Sequence, residues 1–482
     1  MIYIFLSVFF AYLTFPNLFY LYGFSPLAWI FAIPLFFVLE NKNFWRRCLN
    51  GLFFGLLFYA CLVRWMTSYN ELGYYAFVVA LSIQPVVFAS FLKTNFKNKF
   101  LEILYPPALW VTSEFLRPFL FHGFSWTIGY SQSFNPGVIQ IVDVLGSYGI
   151  SFVIILVNYC LFKILKASQE SEQNLCLGTI VIAISIVYGY GFFSPRFIHQ
   201  PLSMHSFKIC TVQPNINPHQ KLNRDLVPFL IDQHVQWTQE CLPYKPDLIV
   251  WPETSVPDDF RRDGNLKNKI IDAVEMARTN FLIGAALSED DKSFNSAVLL
   301  DERAQILNIY HKKNLVPFSE YQPFKEMVQI MNKFLNMKSY EFEAGRNLGV
   351  FSSNFSIFGV GICSEDAYPE TFRQLALKNV GFIILMLNDG WFIHPEALVM
   401  HAQNSIMRAV ENRIPIVRAA NTGLSCSIDV YGNVSQQHPA LNTKDYFLTT
   451  IPAVSIKTFY TKYGDFFAVL CTVFVIISFV FN

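Results

Sequence analysis

Three residues along the chain have side chains suited to covalent acyl chemistry, each at or near the end of a strand-like run. Cys363 closes the apolar run Phe358-Gly-Val-Gly-Ile and is followed at once by Ser364-Glu365. Lys312 follows Ile306–His311, with Glu320 further along the same stretch. Glu253 follows Leu-Ile-Val-Trp-Pro. A sulfur nucleophile, a cation and a carboxylate base are what acyl transfer through a thioester requires. The thiolate needs a base or a positive field beside it. Each residue taken alone has a plainer reading. A cysteine ending an apolar strand is often a small buried hydrophobe. Lys312-Lys313 reads equally as a solvated pair, and a carboxylate after a strand can cap a helix. It is their order and their common setting that favour chemistry.

The elements that would position them lie between residues 205 and 455. Short apolar runs predict strands at Lys208–Asn215, Leu248–Trp251, Phe281–Ala286, Ser296–Leu300, Ile306–His311, Ile357–Cys363, Phe382–Asn388, Ile414–Ala420, Ser425–Val430 and Tyr446–Ile451. Helices are predicted at Asp225–Cys241, Leu266–Thr279, Thr371–Asn379 and Glu396–Asn412. The last is amphipathic, with Ala397, Met400, Ile406, Ala409 and Val410 recurring at helical spacing. The alternation predicts an α/β domain large enough for its own core. Strand ends in such domains are where active sites gather.

The remainder is of another kind. The chain has 482 residues, is 53% hydrophobic and 15% charged, and contains 50 Phe. Soluble domains run nearer a quarter charged. A formal net charge of +1 gives no footprint for a nucleic-acid partner. Apolar stretches of about 20 residues, the length a bilayer requires, lie near residues 3–21, 24–40, 51–68, 73–92, 101–119, 138–162 and 176–194. An eighth lies near 464–481. Met1–Tyr20 lacks a basic start and a small-residue cleavage site, so it reads as a span rather than a leader. Lys42, Arg46 and Arg47 follow the second span, Lys93, Lys97 and Lys99 the fourth, and Lys163 and Lys166 the sixth. The alternate loops hold Arg64 and Arg117. The bias places both termini in the cytoplasm and residues from about 195 outside, the periplasm if the cell is bacterial. The expected division is residues 1–200 as a seven-span domain, 205–455 as a catalytic domain and 460–482 as a C-terminal membrane helix. No Cys/His spacing suits a metal, and no cofactor is implied. Cys210, Cys241, Cys363 and Cys426 fall in the polar part, and spacing does not say which are paired.

Trp251-Pro-Glu253-Thr, Tyr310-His-Lys312-Lys-Asn-Leu-Val-Pro-Phe-Ser-Glu320 and Gly359-Val-Gly-Ile-Cys363-Ser-Glu365 resemble, in this order, the motifs of the nitrilase superfamily. Leu387–Phe392, Asn404–Arg413, Val417–Gly423, Gly123–Gln132 and Asp143–Gly149 narrow the resemblance to its membrane-bound apolipoprotein N-acyltransferase branch. The resemblance covers most of the chain. It implies a four-layer α-β-β-α sandwich beside the membrane spans, in a bacterial inner membrane. It implies Glu253 as general base, Lys312 rather than Lys313 as oxyanion and thiolate stabiliser, and Cys363 as nucleophile. Glu320, Glu365, Asn295 and Trp391 match supporting residues. The implied partners are a phospholipid acyl donor such as phosphatidylethanolamine, diacylated lipoprotein acceptors and the membrane, with a monomer as the default. Ser364 stands where the family often has an aromatic residue, Asn314 where it has histidine, and Leu222 where it has tryptophan. A membrane-tethered amidase acting on small amides is the alternative reading, and a non-catalytic membrane scaffold is a third. Phe318, Trp391 and Phe392 are aromatic candidates for sealing a site against water.

Overall fold

The computed structural model describes residues 1–68, 71–120, 123, 125–197, 206–317, 319–321, 341–435, 439–454 and 456–481; Phe318 lies outside them. The chain divides into two compact units. The first comprises Met1–His199, Val399–Arg413 and Lys457–Asn482, and the second Gln200–Leu398 and Ile414–Ile456. The amphipathic helix Pro395–Asn412 is thus shared, its first residues in one unit and the rest in the other.

The first unit is helical. Among the described residues, Gly73–Phe91, Val142–Lys166 and Glu170–Ser194 are long and apolar enough to cross a membrane. Ile2–Thr14, Ser25–Leu39 and Phe466–Val480 are shorter apolar segments. Helix ends differ from the hydropathy reading where proline intervenes. The stretch near 3–21 is helical over Ile2–Thr14 only, because Phe15, which precedes Pro16, is extended. The stretch near 24–40 breaks into a 3-10 turn, Ser25–Trp29, and a helix, Ile33–Leu39, each with proline in its first turn. The groups freed at that break are met by Asn158, which is fully buried. Its Oδ1 accepts from the Ala32 amide at 2.7 Å and its Nδ2 donates to the Ala28 carbonyl at 2.9 Å. An apolar surround demands such pairing. Val142–Lys166 is kinked at Gly146, where φ is +64° and a Cβ would come within 2.8 Å of the Tyr460 ring. The kink admits no other residue.

At one end of this unit the basic residues meet carboxylates. Lys163 bridges Glu102 and Glu172, each at 2.7 Å, Lys99 reaches Glu102 at 3.2 Å, and Lys166 pairs with Glu40. Arg47 donates to the Leu39 and Leu92 carbonyls. Residues from three of the basic loops therefore come together. Elsewhere in the unit Arg413 is fully buried. It donates to Asp143 at 2.7 and 2.9 Å and to Gln140 Oε1 at 2.6 Å. Arg408 donates to the Tyr130 hydroxyl at 2.7 Å. Segments 123–132, 143–149 and 404–413, far apart in sequence, are joined by these bonds.

The second unit holds two sheets. The first runs β11-β1-β2-β3-β4-β5, with β1 Ser206–Gln213, β2 Leu248–Val250, β3 Asn280–Glu289, β4 Lys292–Leu300, β5 Ile306–His311 and β11 Asp445–Pro452. The second runs β10-β9-β8-β7-β6, with β6 Val350–Ser352, β7 Ile357–Ile362, β8 Ile383–Leu387, β9 Ile416–Ala420 and β10 Cys426–Ile428. One buried cluster takes side chains from both sheets, including Val250, Leu282 and Tyr310 from the first and Phe358, Val360, Met386 and Val417 from the second. A second cluster packs Trp251 and Ile283 against Ile231 and Val274 on the helices Val227–Cys241 and Gly264–Ala277. The central strands are buried on both faces, which is why they read as unbroken apolar runs. β6 was not expected, since three edge residues are too few to show a period.

Cys210 on β1 and Cys241 at the end of its helix are joined by a disulfide, both buried. A bridge across 31 residues of sequence stabilises by limiting the unfolded chain. Non-reducing mass analysis after alkylation should find Cys210 and Cys241 unmodified. A Cys210→Ala/Cys241→Ala variant should lose about 2–4 kcal/mol of stability by denaturant titration. Alkylation of both cysteines without reductant would contradict the bridge.

Candidate active site

Cys363 follows directly on β7, with φ +51°. That left-handed conformation is disfavoured for a residue with a Cβ, and it persists where surrounding contacts enforce it. The enforcing group is Glu365, which is fully buried. Its Oε2 accepts from the Ile362 amide at 2.9 Å. Its Oε1 accepts from the Lys313 and Asn314 amides at 2.9 and 3.1 Å. Both oxygens receive the Tyr310 hydroxyl, at 2.7 and 2.9 Å. One carboxylate thus ties the turn carrying Cys363 to the segment carrying Lys312. Burial pushes the Glu365 carboxyl up, against the amides and hydroxyl that favour its ionised form.

Lys312 follows directly on β5, is 1% exposed, and donates its main-chain amide to the Asn295 carbonyl at 2.8 Å. Its Nζ lies 2.9 and 2.8 Å from the two oxygens of Glu320 and 3.6 Å from Glu253 Oε1. Burial opposes its charge. The carboxylates of Glu320 and Glu253 outweigh that penalty and hold it well above the ordinary lysine range. Lys313, its neighbour, contributes its amide to Glu365 instead. Glu320 is fixed in turn by the Val316 amide, 2.8 Å from Oε2.

Glu253 lies three residues past β2 and is 6% exposed. Its turn passes close over β3. A Cβ on Gly284 would meet Glu253 Cα at 2.8 Å and the Thr254 amide at 2.7 Å, so glycine is required there. Thr254 has φ +47°. Asn295 Nδ2 donates to Glu253 Oε1 at 2.7 Å and to Glu320 Oε1 at 3.0 Å, holding the two carboxylates around one ammonium. Asn295 sits on β4 beside Lys312, because Ser296 pairs in register with His311. β2 and β5 point the same way within the first sheet, and β7, β8 and β9 run parallel in the second.

The structure brings Glu253, Lys312, Glu320, Asn295 and Cys363 together. The Cys363 thiol is pushed well above its usual range by burial and by Glu253, with Lys312 opposing and Asp389 and Glu320 adding to the rise. The resting group is therefore the thiol, and a base must take its proton. Trp391 ends the 3-10 turn Asp389–Trp391, with its ring edge-on to His219 at 5.5 Å. The Ser364 hydroxyl is buried with no hydrogen-bond partner among the described residues. Asn314 Nδ2 donates to Thr371 at 2.8 Å, and Leu222 is 54% exposed. Sequence reasoning gave no role to Arg418, Asp366 or Asp389, all fully buried. The Arg418 guanidinium lies 3.3 Å from Asp366 and 3.6 Å from Asp389. Their signal was an acidic residue just past a buried strand, present at both carboxylates.

Residues 7–160 match the apolipoprotein N-acyltransferase N-terminal domain, and residues 210–460 match the carbon-nitrogen hydrolase family. Similar curated proteins include an apolipoprotein N-acyltransferase of Geobacter metallireducens, 29% identical over 93% of this chain and 89% of that protein. Another is apolipoprotein N-acyltransferase 1 of Treponema denticola, 27% identical over 98% of this chain and 94% of that protein. Among solved structures, a Saccharomyces cerevisiae member of branch 10 of the nitrilase superfamily matches with TM-score 0.41 and 14% identity, over 55% of this chain and 96% of that chain. That likeness carries no part of the assignment, which rests on the sequence matches. With the hydrolase match spanning more than half its length, the chain belongs to the carbon-nitrogen hydrolase family, joined to an N-terminal domain of the apolipoprotein N-acyltransferase type.

Proposed function

We propose that this protein is an apolipoprotein N-acyltransferase. It moves a fatty acyl chain from a phospholipid, through a thioester on Cys363, to the α-amino group of the N-terminal S-diacylglyceryl-cysteine of lipoproteins. The observation that carries the reading is the buried Lys312 ammonium between Glu253 and Glu320, with Cys363 within its field. In the first step Glu253 takes the thiol proton and sulfur attacks the ester carbonyl carbon. Lys312 stabilises the oxyanion. The tetrahedral intermediate collapses with loss of the glycerol alkoxide, which takes the proton back from Glu253 and leaves as a lysophospholipid. In the second step the lipoprotein amine attacks the thioester, gives a proton to the Cys363 sulfur by way of Glu253, and becomes an amide. Thioester to amide is downhill, so no nucleotide is consumed. Glu320 and Asn295 position the base and the cation. Glu365 positions the Cys363 turn. Trp391 and Phe392 belong to a loop that shields the thioester from water.

The fuller architecture belongs to the same proposal. It has seven spans within residues 1–200, an eighth within 460–482, and a four-layer α-β-β-α sandwich over 205–455. The shared core of the two sheets and the helices outside the first sheet support the sandwich. The gathering of Arg47, Lys99, Lys163 and Lys166 at one end of the first unit supports a cytoplasmic end there, with the sandwich in the periplasm of a bacterial inner membrane. The donor is phosphatidylethanolamine or a similar phospholipid, and the protein works as a monomer.

With phospholipid vesicles and a diacylated lipopeptide, the purified protein should form the triacylated product. Cys363→Ala should lower the rate roughly 1,000-fold or more. An undiminished rate in that variant would sink the thioester route. Release of ammonia from small amides without lipid would favour the amidase reading instead. Glu365→Ala leaves three main-chain amides without their acceptor, that of Ile362 buried and those of Lys313 and Asn314 partly so, with a cost of about 1–3 kcal/mol for each group that stays unsatisfied. It should lower stability by roughly 3 kcal/mol or more on a denaturant titration, and a loss below about 1 kcal/mol would contradict the clamp.

A further inference from the structure

Behind the Glu253 turn lies a second buried lysine that the scheme above does not use. Lys221 ends the short helix Pro218–Lys221 and is 7% exposed. Its Nζ donates to the main-chain carbonyl of Glu253 at 3.1 Å. That is the only hydrogen bond of the ammonium among the described residues, and the only one that this carbonyl accepts. His234, on the helix Val227–Cys241, is also fully buried. Its Nδ1 donates to the Leu230 carbonyl at 2.7 Å, which leaves Nε2 as a bare acceptor, buried and without a partner among the described residues. Burial pushes His234 down to about 3, so it stays neutral. Burial likewise pulls Lys221 down to about 7, and Glu253 opposes it.

A buried lysine without a carboxylate partner is costly to keep charged, and methionine would fill the same volume without that penalty. What Lys221 does is specific to its place. It satisfies the carbonyl of the very residue whose carboxylate faces Lys312. The same short helix packs against the Asp389–Trp391 turn, since a Cβ on Gly390 would meet Pro218 at 2.8 Å. The segment thus touches both the base and the loop beside the site. We infer that Lys221 is a positioning residue for Glu253. It pins the turn through the carbonyl, so that the Glu253 carboxylate keeps its place beside Asn295 and Lys312.

The inference rests on the thioester chemistry above, and its test separates the two. The rate of acyl-enzyme formation by the full-length protein is followed by intact mass at varied phosphatidylethanolamine in vesicles. A wild-type protein that acquires no acyl mass would sink the thioester reading itself. Given acylation, Lys221→Met should lower its maximal rate by up to roughly 100-fold, the cost of misplacing a reacting group by about 1 Å. Half-saturating phospholipid should stay within about twofold. Lys221→Arg keeps a donor for the Glu253 carbonyl and should recover most of the maximal rate. A maximal rate in Lys221→Met equal to wild type, or an equal loss in Lys221→Met and Lys221→Arg, overturns the inference, since a merely structural loss would not follow the donor. If Lys221→Met gives no folded protein, Lys221→Gln, whose shorter side chain brings its donor less far toward the carbonyl, decides by the same criterion.

Discussion

The second unit is organised around one buried positive charge. An ammonium as enclosed as Lys312 is unstable unless carboxylates surround it. Glu320 meets it at hydrogen-bond distance and Glu253 stands slightly further off. This asymmetry matters. Glu320 is spent on the lysine and on the Val316 amide, whereas Glu253 keeps an oxygen that Asn295 does not occupy. One carboxylate neutralises and the other remains able to take a proton. Removing either would leave the charge partly uncompensated, so the site and the stability of its surround are coupled.

Bringing these groups to one place is the work of the two sheets. β2, β4 and β5 deliver Glu253, Asn295 and Lys312 from the first sheet, and β7 delivers Cys363 from the second. The two sheets share a buried core, and side chains must bridge it where β5 and β7 end. Tyr310 and Glu365 span the gap. The tyrosine comes from β5 and the carboxylate from the turn after β7, and the same carboxylate gathers the amides on both sides. The strained φ of Cys363 is held by this clamp. In the proposed reaction, that strain keeps the sulfur turned toward Glu253 and Lys312 and not folded back along its strand.

Much of this was legible in the sequence, for identifiable reasons. β5 was read to the residue because Ile306–His311 is a short run bounded by turn residues, and the other expected strands shifted by a few positions at their ends. Glu253, Lys312 and Cys363 stood out because each follows an apolar strand. Glu365 was visible as a residue type, but four of its five hydrogen bonds were not, since they join Tyr310, Lys313 and Asn314 to it across more than fifty residues. Lys221 gave no signal, because neither its burial nor its carbonyl partner is a property of local sequence. In the first unit hydropathy found the apolar stretches, while Pro16, Pro26, Pro34 and the Gly146 kink set where helices begin, end and bend. The pairing of Cys210 with Cys241 needed the fold, as spacing alone allowed several partners.

The proposed chemistry depends most on Lys312 being the charge that makes Cys363 reactive. The direct measurement is intact-mass analysis of Lys312→Met beside the wild type after exposure to phospholipid, with thermal unfolding followed in parallel. The wild type should gain the mass of one acyl chain on Cys363. The folded Lys312→Met protein should gain none on the same timescale. Acylation of Lys312→Met at the wild-type rate would contradict it.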